Sequence, residues 1–135
     1  MAVSNVDAII TQISSILAAR VDKIVEYLPR YLSKHTTLSI YWKGATYENA
    51  TVNSKFADYK FILTTSIYMY NDQKCQETQK DLALNMVDDL CAKPDLNGSC
   101  LKHEVESVDC DFETSNNGTY ALIEIILVAT KEEFD

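Results

Sequence analysis

Apolar residues open the chain at three- and four-residue steps: Val6, Ile9, Ile10, Ile13, Ile16, Leu17, Val21, Ile24 and Leu28. That spacing is the stripe of an amphipathic helix. It predicts one long helix, capped by Ser4 with Asp7 and ended near Leu28 by Pro29. From Thr36 to Lys43 the period changes to two, with Leu38, Ile40 and Trp42 alternating against Thr37, Ser39 and Tyr41. This predicts a strand whose buried face holds Trp42. The polar stretch 44–55 reads as a loop inside a long hairpin. Phe56 to Tyr70 is its second strand, rich in β-branched and aromatic residues.

Helical spacing returns from Asp72 to Ala92, through Leu82, Ala83, Met86, Val87 and Leu90, and stops at Pro94 and Asn97-Gly98. Cys100 to Glu113 is a weaker strand. Asn116-Asn117-Gly118 signals a hairpin turn. Tyr120 to Thr130 is apolar on both faces, as a central strand is, and 131–135 reads as a short charged tail. The predicted fold is α+β over a single domain, residues 1–135. It has a four-stranded, mainly antiparallel sheet with two helices packed on one face, in the order α-β-β-α-β-β. Helices on one face leave the other face of an apolar central strand to meet something else, such as another subunit.

Composition narrows the function. A chain of 135 residues with three Gly and two Pro has no Gly-rich phosphate loop and no Pro-rich linker. No apolar run reaches the ~20 residues of a membrane span, so no membrane partner is expected. The start of the chain has no basic region ahead of its apolar residues, unlike a secretion signal. The formal net charge is -8. Residues 1–70 hold seven basic and five acidic side chains, and residues 71–135 hold five basic and fifteen acidic ones. Tight grip on duplex DNA is unexpected with that balance. Opposite faces of opposite sign are expected.

Candidate chemistry is sparse. Cys75, Cys91, Cys100 and Cys110 form no C-x-x-C pair, and reduced thiols are the default; Cys91 and Cys100 bracket a short loop that a bridge would span. Cys100 and His103 are near in sequence but three residues apart, on opposite faces of a strand. Glu104 with Glu106, and Asp109 with Asp111, share strand faces in pairs, the two pairs on opposite faces, without the ligand spacing of a calcium loop. No catalytic residues, no metal and no cofactor are expected, and the protein is not expected to be an enzyme. The loop supplies the candidate subunit or partner contacts: Tyr47, Glu48, Asn49, Thr51, Asn53 and Lys55. Asp81, Asp88, Asp89, Asp109 and Asp111 are candidates for an acidic channel or surface.

The order of these parts carries a resemblance. A long amphipathic helix closes before a Pro; Leu38-Ser39-Ile40-Tyr41-Trp42 follows, then a polar loop and a long strand; a helix ending Asp88-Asp89-Leu90 precedes a hairpin ending Tyr120-Ala121-Leu122-Ile123-Glu124-Ile125. By the order and spacing of these parts, nearly the whole chain resembles the tail terminator, or tail completion, proteins of long-tailed bacteriophages. The resemblance implies a virion structural protein at the head-proximal end of the tail, assembled in the bacterial cytoplasm. Such a protein forms a ring, typically hexameric, that caps the tail tube, stops its polymerisation and offers a docking surface in head–tail joining. The implied partners are further copies of the chain, the tail tube protein and the head connector or neck protein, with DNA passing through without specific binding. The alternative is a monomeric acidic protein-binding or inhibitor module.

Overall fold

The computed structural model describes residues 5–26, 34–52, 54–69, 72–115 and 118–134. Helix α1 spans Asn5–Leu17 and runs into a 3-10 turn at Ala18–Arg20. Strands β1 (Lys23–Val25), β2 (Thr37–Thr51) and β3 (Ser54–Met69) follow, then helix α2 (Asp72–Cys91) and strands β4 (Lys102–Ser115) and β5 (Gly118–Phe134). The sheet has five strands, not four, in the order β1-β2-β3-β5-β4. β1 pairs parallel with β2, and every other pairing is antiparallel.

The extra strand comes out of the predicted long helix. Val21, Ile24 and Val25 continue the apolar periodicity, but Ala18, Ala19 and Arg20 are exposed and add nothing to the apolar core. β-branched residues suit a strand better than a helix. Ile24 therefore lies beside Leu38 in the sheet. Leu28 and Pro29, the expected helix end, and Ser4 of the expected cap lie outside the described residues. The predicted charged tail is also strand, since β5 pairs with β3 as far as Phe134.

One core holds the layers together. Ile9, Ile10, Ile13 and Leu17 of α1 and Ala83, Met86 and Leu90 of α2 pack on Leu38 and Ile40 of β2, Phe61 and Leu63 of β3, and Ile123, Ile125 and Leu127 of β5. Odd-numbered residues of β3 and β5 point to the helices, as period-two geometry requires. Each fully buried large side chain contributes roughly 1.5–3 kcal/mol. β5 is central, as its apolar character predicts. Gln79 is the buried polar anchor of α2: its Nε2 donates to the carbonyls of Asp111 (2.9 Å) and Leu122 (2.8 Å), tying the helix to β4 and β5.

Candidate assembly surface

The 44–55 stretch is not a loop. β2 runs to Thr51 and β3 starts at Ser54, so the hairpin is paired almost to its tip. Ala45, Tyr47 and Asn49 alternate with Thr46 and Glu48, and that alternation is a strand whose polar members face solvent. Tyr47, Glu48 and Asn49 are exposed on β2, and Lys55 lies on β3 with its ammonium 4.8 Å from the Tyr47 ring centre. Thr51 ends β2, and Asn53 lies outside the described residues. Val52, at the tip, is 96% exposed.

Trp42 does not join the core. It stands opposite Phe61 on the helix side, yet is 42% exposed. Beyond Ile40, β2 is the outer strand of the sheet, because β1 pairs only with residues 37–39. A bulge follows at once, with Lys43 as the extra residue between Trp42 and Gly44.

A second bulge decides the electrostatics. Between Val105 and Ser107 of β4, Glu106 is the extra residue. Strict alternation puts Glu104 and Glu106 on one face and Asp109 and Asp111 on the other. The bulge resets the phase, so Glu104 (opposite Val128), Asp109 (opposite Glu124) and Asp111 (opposite Leu122) all share the face away from the helices. Glu106 turns to the same side, where it meets Lys60 at 3.5 Å. Glu48, Asp58, Glu113, Glu124 and Glu132 stand on this face too. Nine of the chain's 20 carboxylates therefore stand on one surface with the sheet lysines Lys60 and Lys102, and the bulge residue Lys43 lines the same trough. Asp109 and Glu124 are directly opposed like charges, an arrangement that disfavours the isolated sheet.

Among the described residues only one end of this face is covered. Thr37, Ser39, Ser66 and Tyr120 are buried there, and the Lys34 ammonium lies 5.5 Å from the Tyr68 ring centre. The rest is open. Tyr41, Ile62 and Ile126 form a half-exposed apolar bar across β2, β3 and β5. Beside it runs a shallow trough in two adjoining parts of about 410 and 720 Å³, lined by Gly44, Phe56, Lys60, Glu104, Glu106 and Val128 among others. Two cross-strand side-chain bonds join β3 to β5 on this face: the Thr130 hydroxyl donates to Asp58 (2.6 Å) within the trough, and the Ser54 hydroxyl donates to Glu132 (3.0 Å).

The five acidic candidates do not form one surface. Asp81 and Asp88 are exposed on α2, on the helix side. Asp89 is engaged by Arg20, whose Nε and Nη2 donate at 2.7 and 3.1 Å, and this hydrogen bond holds the Asp89 carboxyl below its usual range. Asp109 and Asp111 lie on the acidic sheet face. Cys91 and Cys100 are both free thiols, and burial pushes Cys100 up to about 11. His103 Nδ1 lies 3.0 Å from the Pro94 carbonyl, and the His103 amide donates to the same oxygen at 3.1 Å. Among the described residues no three His, Cys, Asp or Glu side chains gather as metal ligands, and no helix is long and apolar enough to cross a membrane.

No known protein family matches the chain, and no curated protein matches it in sequence. Among solved structures, it is similar to a chain of the virion of a native gene transfer agent particle, at 12% identity and a TM-score of 0.55, over 93% of this chain and 92% of that one; the likeness is one of fold.

Proposed function

We propose that the protein is a non-catalytic structural component of a phage-like particle, acting as a tail terminator. Copies form a ring that caps the tail tube, stops its growth and presents a docking surface to the head connector, while DNA passes through. The observation that carries this reading is the sheet face with nine carboxylates around an apolar bar. A surface of that charge repels phosphate, as a DNA passage must. The end-to-end likeness in fold to a gene transfer agent virion chain supports a place in such a particle. So does the topology: a sheet with two different outer edges suits head-to-tail contacts, which close into rings.

The test is deletion of the chain from cells producing the tailed particle, with tail lengths read by electron microscopy. Overlong, headless tails are expected. Tails of normal, uniform length joined to filled heads would overturn the terminator role.

A further inference from the structure

We propose that the copies join by strand pairing: the outer edge of β4 on one copy lies antiparallel against the outer edge of β2 on the next. This rests on the reading that the chain assembles with copies of itself. Among the described residues the two edges are free over matching lengths. β1 occupies β2 at residues 37–39, which leaves the edge open from Ile40 to Asn49. The Pro94 carbonyl occupies the start of β4 at His103, and the Asp111 carboxylate accepts from the Phe112 amide at 2.8 Å, a local contact that seam formation would exchange for the ladder; among the described residues no other strand lies beside β4 from Glu104 to Thr114. In copies oriented alike the two strands run in opposite directions, as an antiparallel ladder needs.

Exposed apolar side chains gather on these edges. Trp42 and Tyr47 on β2, and Val108 and Phe112 on β4, are among the exposed large hydrophobic residues, and all four stand on the helix side of the sheet. With β1 as a stop for Thr114, one register brings Phe112 beside Trp42, Cys110 beside Ala45 and Val108 beside Tyr47. The bulge on β2 absorbs the odd residue. It is Lys43, and the residue it meets across the seam is Asp111. Both side chains are exposed in the single chain. β4 carries five carboxylates, Asp111 among them, and one lysine, so the basic bulge sits where an acidic edge needs it.

The register also has a geometric consequence. It displaces each copy by about six residues along the strands, roughly 20 Å at ~3.3 Å per residue. Four strand spacings across the copy make roughly 19 Å at ~4.8 Å each. The strands then tilt about 45° from the ring axis, close to the ~35–45° of closed sheets.

Charge exchange tests the seam. Lys43→Glu and Asp111→Lys each raise the concentration for half-assembly at least about tenfold, by sedimentation velocity, through like-charge contact. Assembly returns in the double variant, and also when the two single variants are mixed, because each then meets its complement. Circular dichroism of each single variant should match the parent chain. Single variants that assemble like the parent, or losses that neither combination restores, would overturn the edge pairing while leaving ring formation standing. A parent chain that stays monomeric at every concentration would also overturn it, with the role in the particle then judged by tail lengths alone.

Discussion

Gln79 gives the sharpest test of how the fold holds the acidic strand in place. Its side chain is almost fully buried, and one amide nitrogen serves the carbonyls of two facing residues, Asp111 on β4 and Leu122 on β5. Gln79→Leu keeps most of the volume and removes both bonds. Each neutral hydrogen bond contributes about 1 kcal/mol, and the two part-buried carbonyls lose a donor, so the loss should be about 2–3 kcal/mol. At about 2.1 cal/mol/K per residue, a chain of this length unfolds with an entropy of roughly 0.28 kcal/mol/K, which converts the loss to a fall in Tm of about 7–10 °C. Thermal unfolding followed by circular dichroism reads it directly. Hydrogen exchange should quicken more in β4 than in β3, since β4 is the outer strand that α2 pins. Gln79→Glu should be worse than the leucine variant at neutral pH, because it sets a charged oxygen against two carbonyl oxygens. A fall below about 2 °C for Gln79→Leu would refute the anchoring argument.

Other consequences follow from the charges and thiols. Glu124→Gln removes the like-charge opposition to Asp109 and should stabilise the isolated chain by about 0.2–1 kcal/mol in low-salt urea unfolding; a loss of stability would contradict the face assignment. Replacing Glu104, Asp109 and Glu124 together by Lys should create salt-dependent binding to duplex DNA, with a log–log slope near ~3, where the parent chain binds none. Asp89, held below its ordinary pKa by the Arg20 hydrogen bond, contributes its pairing fully above about pH 4 and loses it as pH falls through the lowered value. Asp89→Asn should therefore flatten the acid limb of the stability curve, and an unchanged limb would count against the pairing. Cys91 is exposed and should alkylate in the folded chain at neutral pH; Cys110, exposed but with its thiol pushed up by partial burial and Asp109, should follow more slowly; Cys100, buried with its pKa raised to about 11, should react only on unfolding, as peptide mass mapping would show.

Much of this arrangement is legible in residue order. Period-two runs locate β2, β3 and β5, and the two-faced apolar character of β5 identifies it as central. The helical stripe misleads where Val21, Ile24 and Val25 satisfy both periods; pairing with Leu38 and Ser39 decides for strand, and that partner is distant in sequence. Trp42 reads as core by alternation but stands on a free edge, because burial depends on which strands have neighbours. The acidic face is hidden for a different reason. Parity alone splits the acids of β4 between two faces, and one extra residue, Glu106, reunites them. Nothing local in Val105-Glu106-Ser107 announces a bulge, although the parity mismatch of charged positions along that strand is its trace. The stretch 44–55 misreads as a loop because its polar composition outweighs its alternation when no partner strand is in view.

The central claim is that this chain builds a closed ring with an acidic passage. Native mass spectrometry of the purified chain across a range of concentration and salt tests it most directly. The proposed terminator ring predicts one discrete multiple of the 15.3 kDa chain, near six copies, with no ladder of intermediates. An open-ended ladder of sizes would contradict closure, and a monomer at every concentration would contradict self-assembly.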